Sequence, residues 1–179
     1  MKTVSLISAL LVLSSAQAGS PTDLWRLLGR GDATLPGGDV AYRLTNPSAE
    51  VSVDVGLAFG EAKGEGYAEL KLTAFKFSSN FNAKELQLFA GDIIRIAGAC
   101  FNTDPARASA IQAWVLVNDA KEEHIYYTAG TRFAEKDFGP LHLSLEKRTN
   151  GRGHSVSVYM SREGTPGQAP WIKTCIASG

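Results

Sequence analysis

The stretch LHLSLEKRTNGRGHSVSVYM occupies residues 141–160 and decides how the rest of the chain is read. Asn150-Gly151 is a strong two-residue hairpin signal, because the type I′ turn needs positive φ at both central positions. On either side, apolar residues alternate with polar ones, the period of a half-buried strand. A turn at this point pairs residues whose numbers add to about 301. Leu141, Leu143 and Leu145 then share a face with Val156, Val158 and Met160. The opposite face carries His142, Ser144, Glu146, Ser155, Ser157 and Tyr159, and the pattern predicts that it is solvated. Turn chemistry and alternation select the same faces independently, and a slip of one residue would turn every side chain over.

The same grammar extends upstream. Val51, Val53, Val55, Leu57 and Phe59 alternate with small or polar residues, which predicts a strand. The Gly-rich stretch from Gly60 to Gly66 reads as a loop. Ala68, Leu70, Leu72 and Ala74 predict a second strand. Glu85–Leu88 and Ile93–Phe101 read as two more strands around Gly91-Asp92. Ile111–Val117, apolar on both sides of Trp114, reads as a central strand. Only Ser20 to Arg30 has helical spacing, with Thr22 or Asp23 as cap and Leu24, Leu27 and Leu28 on one face. Short strands separated by turn residues predict an all-β fold, an antiparallel β-sandwich of about nine strands with a short N-terminal helix.

The chain opens MKTVSLISALLVLSSAQA. A positive residue, a short apolar run and the small-residue ending Ala16-Gln17-Ala18 have the layout of a cleavable signal peptide over residues 1–18. The apolar run falls short of the roughly 20 residues a membrane span needs. Residues 19–179 then form a single domain, secreted and not inserted in a membrane. Lys plus Arg and Asp plus Glu number 18 each. That balance gives no reason to expect nucleic acid as a partner. The two cysteines, Cys100 and Cys175, predict one disulfide in an oxidising compartment. If 93–101 is a strand with its even positions inward, Cys100 also faces the core.

Several chemistries lack their signatures. The three histidines, His124, His142 and His154, are too far apart in sequence for a metal-ligand motif. No cofactor motif is present. His142, Ser144, Glu146 and Ser157 contain the residue types of a catalytic triad, but no nucleophile elbow accompanies them. A secreted hydrolase is therefore disfavoured. Arg30-Gly31-Asp32 spells an adhesion tripeptide, and three residues carry little information. A binding protein concentrates its energy in aromatic and Arg anchors. Trp25, Tyr127, Tyr159 and Trp171 lie outside the clearest core runs, while Arg30 and Arg152 lie in expected loops. These six are the candidate binding residues. Tyr126 is a further aromatic of the same kind.

A signal peptide, one β-rich domain, two cysteines and no catalytic signature together resemble the small secreted effector proteins of filamentous fungi. The resemblance implies a non-catalytic protein that binds a host protein, outside host cells or after transfer into them. The alternative expectation is a carbohydrate-binding β-sandwich of lectin type.

The hairpin register makes Val158 a core residue. Val158→Asp should unfold the domain, because it buries a charge without a partner. Circular dichroism and urea titration would test this. A variant that stays folded would put the register one residue off.

Overall fold

The fold is seen in a computed structural model, which describes residues 21–29, 40–64, 66–77, 79–119, 133–150 and 153–177. In chain order the elements begin with β1 (Thr22–Asp23), α1 (Leu24–Leu27), β2 (Val40–Asn46) and β3 (Val51–Phe59). The two-residue strands β4 (Ala62–Lys63) and β5 (Gly66–Tyr67) precede β6 (Glu69–Lys76). Two helices follow, α2 (Ala83–Cys100) and α3 (Ala108–Asp119). The chain then runs through β7 (Phe133–Phe138), β8 (Leu141–Asn150), β9 (Gly153–Arg162) and β10 (Cys175–Ile176).

Six strands make one antiparallel sheet in the order β2-β3-β6-β9-β8-β7. It consists of two three-stranded meanders joined along β6 and β9. The expected hairpin is present as β8 and β9. Its last pair is Asn150 with Gly153, and Leu143 stands opposite Met160. The turn therefore lies two residues further on in the pairing sum than Asn150-Gly151 implied. An even shift leaves each side chain on its assigned face. Leu141, Leu143, Leu145, Val156, Val158 and Met160 are all buried, as are Val55, Leu57, Leu70 and Leu72 on β3 and β6.

The layer against this inner face is helical, which corrects the sandwich expectation for the described residues. Glu85–Leu88, Ile93–Phe101 and Ile111–Val117 were read as strands and belong to α2 and α3. The buried residues of α2 include Leu86, Phe89, Ala90, Ile93, Ile96, Ala97 and Cys100. That is spacing i, i+3, i+4, i+7, one stripe of a helix. Ile94 and Ile96 around Arg95 imitate a strand over three residues and not over the whole segment. The start of α2 is a capping box: Asn82 Oδ1 accepts from the Glu85 amide at 3.0 Å, and Glu85 Oε2 accepts from the Asn82 amide at 2.7 Å. Lys76 at the end of β6 donates to the same carboxylate at 2.7 and 2.8 Å, tying strand to helix. Helix α2 lies over β2 and β3, and α3 packs beside it, reaching β8. Asp92, almost fully buried on α2, accepts from the Tyr42 hydroxyl and from Arg95.

A helix leaves its last carbonyls without partners. The C-terminal end of α2 is closed by the chain that follows β9. Arg162 Nη1 donates to the Phe101 carbonyl at 2.6 Å, Trp171 Nε1 to Cys100 at 2.7 Å, and Lys173 Nζ to Gly98 at 2.8 Å. Two of these donors are cations at the negative end of the helix dipole. Burial lowers the pKa of Arg162 from its ordinary value, although a guanidinium stays charged in proteins. The Cys100–Cys175 disulfide, with Cα atoms 5.0 Å apart, fastens the same helix end covalently. Cys100 is inward as expected, for a helical reason instead of a strand parity. The expected N-terminal helix is a single turn, α1, capped by Asp23 Oδ1 on the Trp25 amide at 2.9 Å. β1 pairs in parallel with β10, Thr22 against Cys175.

Beside this join, the missing side chain of Gly66 matters. A Cβ there would lie 1.8 Å from the Thr174 hydroxyl and 3.0 Å from the Cys175 carbonyl oxygen.

No helix of the described residues is long and apolar enough to cross a membrane. The disulfide is compatible with an extracellular location.

The bridge closes a loop across a sequence separation of 75, for which chain entropy gives about 4 kcal/mol. Cys100→Ser or Cys175→Ser should cost about 2–5 kcal/mol in urea unfolding, as for native bridges of secreted domains. Non-reducing mass spectrometry of the native protein should find no alkylatable thiol, and two free thiols would refute the bond.

Candidate functional site

The outer face of the sheet carries the site. Register sets out its side chains in rows across the strands. Ala41, Gly56, Thr73, Ser157 and Glu146 stand opposite one another in turn from β2 to β8. Hydrogen, methyl and short hydroxyl side chains make the first four positions of this row low. One neighbouring row holds Ala58, Lys71 and Tyr159, and the other holds Asp54, Phe75, Ser155 and Arg148. Short side chains between longer ones leave a trough of about 350 Å³. Glycine inside a strand commonly marks a place where something approaches the backbone, and Gly56 is at the floor of this one.

Thr73 Oγ1 and Ser157 Oγ lie 2.9 Å apart across the floor. Lys71 Nζ sits 4.8 Å from the centre of the Tyr159 ring and has no acidic partner among the described residues. Glu146 is 1% exposed. Its carboxylate accepts from the Arg148 guanidinium and, at 3.1 Å, from the Tyr159 hydroxyl. One buried acid thus holds two rim side chains in place. Arg148 itself is 65% exposed. Phe75, in the trough wall, and Phe77, just past the end of β6, are exposed, at 43% and 76%. Arg43 and Asp54 form a bidentate pair on the same face, at 2.6 and 3.1 Å, which raises the pKa of Arg43.

This face differs from the solvated face expected from the hairpin. Ser144, Glu146 and Ser157 are buried, while His142, Ser155 and Tyr159 are partly exposed. The triad types do not assemble. His142 Nδ1 lies 2.7 Å from Asp137 Oδ1 at a site open to water. Ser161 stands across from His142 in the register, and the two side chains make no hydrogen bond. Among the described residues no group of three or more His, Cys, Asp or Glu is placed to hold a metal ion.

Of the three expected binding residues that are described, Tyr159 alone stands beside the trough, next to Lys71. Trp25 and Trp171 are core residues, 4% and 1% exposed, and this corrects their assignment to a surface. Trp25 meets Phe59 edge-on at 6.0 Å, and Trp171 stacks on Phe101 at 5.6 Å with Arg162 over its ring. Both lie outside the clearest apolar runs, and their burial comes from contacts with residues distant in the chain. Arg30, Tyr127 and Arg152 lie outside the described residues, as do Tyr126, His124, the Arg30-Gly31-Asp32 tripeptide and residues 1–18. Sequence reasoning passed over Lys71, Thr73, Phe75 and Gly56. Gly56 within an otherwise regular strand was the available signal.

A second, wider cleft of about 580 Å³ separates the edge strand β2 from α2, between Leu44, Thr45, Gln87 and Arg95. Its buried acid, Asp92, is already engaged by Tyr42 and Arg95. No family model, no curated protein and no solved structure matches the chain.

The Glu146–Arg148 pair predicts an asymmetry. Removing Arg148 leaves a buried carboxylate with Tyr159 alone, whereas removing the charge of Glu146 frees a guanidinium that water already reaches. Arg148→Ala should cost about 3 kcal/mol, the scale of breaking a buried pair. Glu146→Gln, which keeps the shape, should cost about 1 kcal/mol. Equal losses in urea unfolding would show that Glu146 is solvated.

Proposed function

We propose that this protein is a secreted, non-catalytic binding protein that engages a protein partner, of the host or the extracellular space, through the outer face of its sheet. The observation that carries the reading is the exposure of Phe75, on the outer face of β6, and of Phe77, just past the end of that strand, with Arg43 and Arg148 on the same outer face as Phe75. Exposed rings beside arginines are the residue types in which interfaces concentrate their energy. The signal-peptide layout, the disulfide and the resemblance to fungal effectors support secretion and a host partner. A sugar-binding reading has one observation in its favour: Phe75 stands beside the hydroxyls of Thr73, Ser155 and Ser157, a surface on which a sugar ring can stack.

Quantitative affinity capture from host tissue, with folding checked by circular dichroism, tests the assignment. The Phe75→Ser/Phe77→Ser double variant should lose partners that wild type retains. Val117→Ser, at an exposed position on α3, should keep them. His142→Ala should leave capture unchanged. Capture that is equal for all variants would remove the outer face from the interface, and release by a simple sugar would replace the protein partner with a glycan.

A further inference from the structure

The same face holds a small-molecule site that does not depend on a protein partner. Among the described residues the trough is lined by two basic side chains, Lys71 and Arg148, by the hydroxyls of Thr73, Ser155 and Ser157, and by no acid. Glu146 lies beneath, buried, and balances only Arg148. The Lys71 ammonium is held near the Tyr159 ring, and no carboxylate among the described residues neutralises it. An uncompensated cation beside hydroxyl donors selects a negative group. The remaining wall is apolar: the ring of Phe75, with Ala41, Gly56 and Ala58 contributing almost no side chain. A planar body can lie against that wall, and the absent side chain at Gly56 leaves it room. A volume of about 350 Å³ falls within the range of small-ligand pockets, about 300–1,000 Å³.

We infer that the trough binds a small ring-bearing oxyanion, with its carboxylate, sulfate or phosphate group toward Lys71, its ring on Phe75 above Gly56, and Arg148 at the rim on the Phe75 side. Lys71 supplies the charge that no acid among the described residues cancels. Glu146 is a positioning residue: it orients Arg148 and, through the Tyr159 hydroxyl, the ring beneath the Lys71 ammonium. Thr73 and Ser157 already bond to each other and retain lone pairs and a proton for a ligand oxygen.

Amide NMR titration of the full secreted chain tests this with benzoate, phenyl sulfate and phenyl phosphate as probes. Methyl benzoate and inorganic phosphate serve as the neutral and ringless counterparts. The expected result is a shift of the Gly56, Thr73, Ser155 and Ser157 amides with a dissociation constant of about 1 mM, weakening as salt is added. The three anions rank the preferred oxyanion. Lys71→Ala should weaken binding about fivefold, the scale of one partly solvated ion pair. Gly56→Val, whose branched side chain suits a strand, should abolish binding while the spectrum stays folded. If Gly56→Val does not fold, Lys71→Ala decides alone. Phe77→Ser should leave the titration unchanged, so loss of a protein partner and loss of this site are read separately. Methyl benzoate shifting the same amides equally would overturn the anion. Inorganic phosphate binding as well as phenyl phosphate would overturn the ring. No trough shift at about 10 mM probe, or shifts confined to other regions, would overturn the site.

Discussion

The fold depends on how the carbonyl end of α2 is closed. Buried backbone carbonyls without partners are costly, and α2 ends inside the protein. The Gly98, Cys100 and Phe101 carbonyls at that end accept hydrogen bonds from Lys173, Trp171 and Arg162. All three donors lie at or beyond the end of β9, so the segment after the last long strand is part of the core. The disulfide adds a covalent tie at the same place. Helix α2 lies over the first meander and β9 belongs to the second. This junction therefore locks helix layer to sheet from the side opposite the capping box and the Lys76–Glu85 pair.

The strands were legible where two local signals agreed. In β8 and β9 a turn dipeptide and a period of two fixed the buried face, and an even error in the pairing left that face unchanged. In β3 and β6 alternation alone sufficed. The helices were missed because the windows were short. Gly91-Asp92 looked like a turn, yet Gly91 is tolerated inside α2 and Asp92 is turned inward onto Tyr42. The spacing Leu86, Phe89, Ile93, Ile96 and Cys100 becomes helical only across the whole segment. Asn82 and Glu85, three apart before an apolar run, carry the sequence mark of a capping box and were not used. Reading α2 as strand also turned a sheet covered by helices into a sandwich.

The candidate site was harder to read because it is an arrangement across strands. No short window contains Gly56, Lys71, Thr73, Arg148 and Ser157 together, and only the register makes neighbours of them. Polar residues on a strand face were taken as solvated, although Glu146 is nearly inaccessible and paired. The opposite error concerned Trp25 and Trp171. Their place outside the clearest core runs implied exposure, while the ring of each packs on a residue distant in the chain, Phe59 for one and Phe101 for the other. Exposure of a large aromatic is a tertiary property, and the Phe75–Phe77 pair shows the same point from the other side.

The parallel pairing of Thr22 with Cys175 has a consequence for the order in which the protein is made. A chain emerging from the ribosome offers β2, β3 and β6 first, and these pair between neighbours in sequence. Helix α2 follows and can cover their apolar face, while its far end still lacks donors. The second meander then assembles locally and joins along β6 and β9. Thr22 waits for Cys175, which is made long after it. Non-local pairings of this kind are the slow part of folding. Nascent chains interrupted before residue 162 would carry an α2 with bare carbonyls, an unpaired Cys100 and an N-terminal strand with nothing to meet. The join thus forms only after Cys175 has been made, and a product truncated before it keeps Cys100 as a thiol.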